Sequence, residues 1–160
     1  MWTVTPSPVG DLRIVEREGA IVAIEFSPFR PPADGRPLGP RSDDHPVLAE
    51  AVRQLTAYFS RELTEFDLPL APVGTDFQRR VWAQLAQIGY GETASYGEIA
   101  GRLGMTNAAS RAVGLANGRN PIPIVVPCHR VIGANGTLTG YAGGLPRKQQ
   151  LLELEQDALF

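Results

Sequence analysis

One cysteine, Cys128, and one lysine, Lys148, occur in 160 residues. A single thiol closes no disulfide within the chain, which suits a reducing cytosol. With only two histidines, His45 and His129, beside it, the chain falls short of the ligands of an ordinary structural zinc site. No metal and no other cofactor is expected. Long apolar runs are missing too: none approaches the roughly 20 residues that span a bilayer, so no membrane partner is expected. The opening MWTVTPSPVG lacks the basic patch and apolar run of a secretory signal. These absences make the cytosol the expected location.

A strong overall charge is also absent, the formal net being −2, which argues weakly against nucleic acid. The halves differ, however. Residues 1–75 carry 7 Arg against 11 Asp and Glu, and residues 76–160 carry 8 Lys and Arg against 6 acids. A polyanion would therefore meet the C-terminal half. Fourteen of the 15 basic residues are Arg. Arginine suits phosphate forks, although a GC-rich genome gives the same bias.

The length fits one unit, or two small lobes sharing a core. VGDLRIVEREGAIVAIEF reads as a β-meander, with Leu12 and Ile14 alternating with polar neighbours and REGA as the turn. The Pro- and Gly-dense stretch from Ser27 to Pro46 reads as a surface loop. Leu48, Val52, Leu55 and Phe59 predict an amphipathic helix over 46–60, and EFDLPL predicts a short strand. Thr75 with Gln78, and Ser95 with Glu98, form capping boxes that open two helices. The first has Phe77, Val81, Leu85 and Ile88 on its apolar face. The second, with Ile99 and Leu103 inside, stops at Gly104. Asn107 is placed to cap a third helix ending at Gly118. Two helices about a tight Gly-containing turn make a helix-turn-helix pattern, which serves DNA binding or simple packing. Asn135-Gly136 signals a hairpin, and LPRKQQLLELE closes the chain as a helix. The fold class is mixed α/β, with domains at 1–74 and 75–160.

Cys128 sits in IPIVVPCHRV, between Pro127 and His129. A lone cytosolic cysteine is commonly an inert small hydrophobe. Here a base and the Arg130 cation adjoin it, next to a Gly-rich loop. Only the thiolate is a useful nucleophile, so something must take its proton. Pro127 biases the approach toward extended chain, where neighbours point apart. A water, or a turn at the cysteine, would then be needed to bring His129 to the sulfur. An acid on the last helix could fix the other ring nitrogen.

NPIPIVVPCHRVIGANGTLTGYAGG closely resembles the active-site signature of the O6-alkylguanine-DNA alkyltransferases, the methylated-DNA–protein-cysteine methyltransferases. TDFQRRVW, GETASYGEIA and SRAVGLANGRNP match the same family in the same order, so the resemblance covers residues 75–155. It implies a ribonuclease-H-like N-terminal lobe and a mainly helical C-terminal lobe with a helix-turn-helix. It also implies direct-reversal repair: the alkyl group of O6-alkylguanine, and of O4-alkylthymine, moves irreversibly to Cys128 after base flipping. Double-stranded DNA, read through the minor groove, is the implied partner, with a monomeric protein and cooperativity on DNA left open. The implied location is the bacterial cytosol and nucleoid.

By the same resemblance, Cys128 is the alkyl acceptor, His129 its water-mediated base and Glu155 the acid that orients the histidine. Asn120 braces the turn before the active site, and Tyr96 meets the damaged base. Arg111 fills the stack, and Ser110, Ala112 and Arg119 flank it on DNA. Tyr141, Val131, Ala142 and Pro123 line the base pocket with Cys128. Ala142 stands where some relatives carry serine, and the zinc ligands of animal relatives have no counterparts. Two other readings remain at this stage. One is a sequence-specific helix-turn-helix regulator with an incidental cysteine; the other is a thiol hydrolase.

Overall fold

Three antiparallel strands come first in the chain: β1 (Trp2–Thr5), β2 (Leu12–Arg17) and β3 (Ala20–Phe26), in the order β1-β2-β3. The computed structural model describes residues 1–32 and 35–157. Leu12 pairs with Thr5 on one side and Phe26 on the other. The β2–β3 turn runs through Glu18 and Gly19, both at positive φ (53° and 82°), where glycine is the residue that fits without strain. The alternation read into β2 does not hold, because Leu12 to Glu16 are all buried. Arg13 is buried by pairing, its Nη2 lying 2.8 Å from Glu25 Oε2 and 2.6 Å from the Arg30 carbonyl.

Helix α1 (Pro46–Phe59) starts with proline in its first turn, where no intrahelical donor is lost. The His45 Nδ1 accepts from Val47 N. Its buried face is Leu48, Ala51, Leu55 and Tyr58, not the expected Leu48, Val52, Leu55 and Phe59. The stripe follows i, i+3, i+7, i+10, one residue round from the expected line, and Val52 and Phe59 are half-buried. EFDLPL is not a strand. It makes one bridge, Ile21 to Leu70, through Ile21 N to the Pro69 carbonyl, and Pro69 has no N–H to extend a ladder. These elements make one compact unit, Met1–Pro72.

The second unit is Val73–Phe160. Both capping boxes form with reciprocal bonds and open α2 (Asp76–Leu85) and α3 (Tyr96–Arg102). In α2 the core face is Val81, Trp82 and Leu85, with Ile88 beyond it; Phe77 is half-buried and Trp82 takes the inner place. Trp82 Nε1 donates to the Ala116 carbonyl at 2.8 Å and ties α2 to α4 (Ser110–Gly118). Gly104, at φ 75°, follows α3, and the next turn brings α3 against α4 as a helix-turn-helix. Asn107 does not cap α4. It opens a short 3-10 turn, Asn107–Ala109, and its Oδ1 accepts from the Ser110 hydroxyl at 3.1 Å.

Asn135-Gly136 forms a turn rather than a hairpin, closed by Gly133 N to the Thr137 carbonyl. The strand before it, β5 (Val131–Ile132), pairs in parallel with β4 (Ala94–Ser95) instead of folding back on the following residues. Helix α5 (Leu145–Asp157) follows the Gly-rich loop, with Pro146 in its first turn. No described helix is long and apolar enough to cross a membrane.

Candidate active site

The approach to Cys128 is wound, not extended. Ile122 N donates to Asn120 Oδ1 at 3.0 Å, and Asn120 Nδ2 donates to the Val126 carbonyl at 2.8 Å. Val126 N reaches the Ile122 carbonyl, and Cys128 N reaches the Val126 carbonyl. Three prolines in this stretch offer no N–H, so the asparagine side chain supplies bonds that the backbone cannot. Ile124 holds φ at 75°, a conformation costing of the order of 1–3 kcal/mol in a β-branched residue. The surrounding bonds hold it there. The chain then enters a 3-10 turn, Cys128–Arg130, so strand alternation does not separate the cysteine from its histidine.

All three residues of that turn are buried, His129 completely. The His129 Nε2 lies 2.7 Å from Glu155 Oε2. Arg130 grips the same carboxylate with Nε at 2.8 Å and Nη2 at 3.0 Å, and its Nη1 donates to the Ile88 carbonyl. Arg130 therefore serves the acid and is not the cation beside the sulfur. Burial raises the Glu155 carboxyl, but hydrogen bonds from His129 and Arg130 outweigh it and hold it at about 2. The carboxylate is ionised, so the ring carries its proton on Nε2. Burial lowers His129, against the pull of Glu155. The result is a neutral imidazole whose Nδ1 is buried with no hydrogen-bond partner among the described residues. Such a nitrogen is an acceptor waiting for a proton.

Burial pushes the Cys128 thiol up to about 11, against hydrogen bonds from Asn120 and Tyr141 and the charge of Lys148. The resting thiol is protonated. Its labelling by iodoacetamide should therefore keep rising toward about pH 11, instead of levelling near the ordinary thiol value of roughly 8.5. A labelling rate that plateaus by about pH 9 in folded protein would contradict this.

Several of the expected site residues converge here: Cys128 with Asn120 and Tyr141, and His129 with Glu155; Val131 and Pro123 are buried. Burial, and next the neighbouring thiol, raise the Tyr141 phenol well above its usual value. Tyr96 bonds through its hydroxyl to Thr139 on the loop that also carries Tyr141. Ala142 is exposed. On α4, Arg111 and Ala112 are exposed and Ser110 is half-buried, and Arg119, just past the helix end, is exposed. These four form a surface rather than part of the thiol cluster.

Lys148 was not among the expected residues, yet it is wholly buried and its Nζ donates to the Val131 and Thr139 carbonyls at 2.6 and 3.2 Å. The signal was available: Lys148, Leu151 and Glu155 lie at i, i+3, i+7, one helix face. Asn117 was missed as well. It is buried on the inner side of α4, with Nδ2 3.4 Å from the Cys128 carbonyl. Among the described residues, no group of three or more His, Cys, Asp or Glu could hold a metal ion.

Known proteins share this fold. Residues 76–157 match the model of the 6-O-methylguanine DNA methyltransferase DNA-binding domain. Residues 1–72 match that of the 6-O-methylguanine DNA methyltransferase ribonuclease-like domain. A methylated-DNA–protein-cysteine methyltransferase of Mycolicibacterium paratuberculosis is 55% identical over 152 residues, covering 94% of this chain and 88% of its own. The crystal structure of the Mycobacterium tuberculosis O6-methylguanine methyltransferase superposes with a TM-score of 0.88 at 48% identity, covering 98% of this chain and 93% of that one. The same mycobacterial protein in complex with DNA gives 0.84 at the same identity and coverage. With both halves of the chain matched, it belongs to the 6-O-methylguanine DNA methyltransferase family.

Proposed function

We propose that this chain repairs double-stranded DNA by taking the alkyl group of O6-alkylguanine onto Cys128, once and irreversibly. The observation that carries the reading is the line Glu155–His129 beside Cys128, with the one unpartnered ring nitrogen left as a base. The Nδ1 takes the thiol proton through a bridging water. Sulfur then attacks the alkyl carbon as the carbon–O6 bond breaks. The electron pair stays on O6, and the base regains one proton to become guanine. Imidazolium formed at His129 is stabilised by the carboxylate already paired to it. The product is a thioether with no good leaving group, so the protein is spent.

An O6 substituent lies inside the stack, and a buried thiol reaches it only if the base turns out of the helix. Exposed Arg111 and Ala112 on α4, with Arg119 at its C-terminal end, give the face that meets DNA, and the net positive C-terminal half suits phosphate. Reading through the minor groove fits a protein that needs backbone contacts and a deformable lesion more than a sequence code. Tyr96 hydrogen-bonds the purine as charge develops. Val131, Tyr141, Ala142 and Pro123 wall the pocket, and O4-alkylthymine enters by the same route. The protein acts as a monomer in the cytosol.

Intact-protein mass after incubation with an O6-methylguanine duplex tests the proposal. One methyl per chain, on the peptide containing Cys128, is the expected result; turnover beyond one equivalent overturns it. Arg111→Ala separates flipping from chemistry. Filling the vacated stack offsets a few kcal/mol of unstacking, so the variant should repair duplex about 10- to 100-fold more slowly. Its reaction with free O6-benzylguanine should stay within about twofold, because no base need be extruded. Equal losses on both substrates would remove Arg111 from that role.

A further inference from the structure

Tyr96 is the first residue of α3, and its ring lies against Gly114 of α4: a Cβ there would stand in ordinary contact, 3.6 Å from the Tyr96 Cε1. The ring is thus held between two helices. Its hydroxyl is held by something else, the side chain of Thr139. Thr139 lies in the Gly-rich loop between β5 and α5. Its own carbonyl accepts from the buried Lys148, which also holds the Val131 carbonyl. The threonine is therefore anchored through its backbone and offers its hydroxyl to Tyr96.

A phenol has one proton to give and lone pairs to fill, and a threonine hydroxyl can donate or accept. When the Tyr96 O–H turns to an acceptor on a bound purine, Thr139 remains as the group placed to donate to the phenol oxygen. That oxygen grows more negative as it shares its proton with a base that is leaving, and a donor fixed in advance stabilises it at that moment. A donor to a group bearing charge is stronger than one between neutral partners.

We propose that Thr139 is a positioning residue for alkyl transfer: its hydroxyl aims the Tyr96 phenol and donates to it while Tyr96 holds the departing base. This role rests on the one given to Tyr96 under the proposed function. It makes a side chain of the Gly-rich loop part of the machinery through a hydroxyl and not through shape.

The test is single-turnover methyl transfer from an O6-methylguanine duplex at saturating protein. Thr139→Val keeps the shape and removes the hydroxyl, and should slow transfer about tenfold with duplex affinity unchanged. Thr139→Ser restores the hydroxyl and should return the rate to within about twofold of the unsubstituted protein. In a Tyr96→Phe background, Thr139→Val should cost nothing more, because its partner oxygen is gone. The same slowing in that background would mean that the threonine only orders the loop. An unslowed Thr139→Val, or a Thr139→Ser as slow as it, would also overturn the proposal. The unsubstituted protein is the separate control: if no methyl reaches Cys128 there, the proposed function itself falls, and Thr139 with it.

Discussion

Cys128→Ser should bind an O6-methylguanine duplex about as tightly as the unsubstituted protein and transfer no methyl to itself. The exposed α4 face proposed to meet DNA does not include residue 128, so the encounter should survive. The chemistry should not. Even the thiol is pushed up to about 11 by burial, and the proposed transfer relies on a base beside it and on the intrinsic nucleophilicity of sulfur. A hydroxyl is far harder to ionise in the same buried place, and the alkoxide would be disfavoured by the same desolvation. Substituting oxygen for sulfur changes the side chain little, and Asn120 and Tyr141 remain as partners, so folding should be kept. Gel-shift affinity beside intact-protein mass checks both halves of the expectation. Methyl on any residue of the Cys128→Ser variant would show that Cys128 is not the acceptor; loss of duplex binding would show that the thiol turn carries part of the DNA surface.

How much of this could be read from sequence depends on whether the signal is local. The capping boxes at Thr75 and Ser95 form as expected, because each is a closed exchange of bonds within four residues. The faces of α1 and α2 are displaced: Ala51, Tyr58 and Trp82 take places expected of Val52, Phe59 and Phe77. Several apolar residues compete on each of those helices, and tertiary packing chooses among them. Proline near Cys128 suggests extended chain, but Asn120 supplies side-chain bonds that wind it into turns. Propensity does not reveal that, since one asparagine side chain serves partners on both sides of Pro123.

The site itself is legible through its motif, less so through its charges. His129 and Glu155 pair directly although 26 residues apart, and Cys128 opens the turn that carries the histidine. Arg130 stands two residues from the cysteine in sequence and instead holds Glu155. Lys148, the one lysine, is buried; its spacing to Leu151 and Glu155 places it on the inner face of α5, but does not show which groups receive its charge. Burial of a long cationic side chain needs carbonyls gathered from distant residues, here Val131 and Thr139, and a sequence does not announce that gathering.

Glu155→Gln should have the other large effect, on folding and on transfer together. The carboxylate accepts from His129 Nε2 and from two nitrogens of Arg130, all of them buried. An amide of the same shape can accept at one end only, and its NH2 would face a donor. Arg130 then keeps a buried charge with no counter-ion, which costs about 3–5 kcal/mol. Transfer should fall roughly 100-fold or more even at temperatures where the variant is folded, because His129 loses both its tautomer and the charge that stabilises the imidazolium. The acid limb separates the two roles. Because the folded carboxyl sits at about 2, below its ordinary 4.5, Glu155 contributes its full stability above the ordinary value. That contribution is lost as pH falls from 4.5 through about 2. Urea midpoints for the two proteins should therefore lie far apart near neutrality and draw closer by about pH 3. A gap of the same size at both pH values would mean that the substitution harms packing and not the charge, and that Glu155 is not the ionised partner on which the His129 base depends.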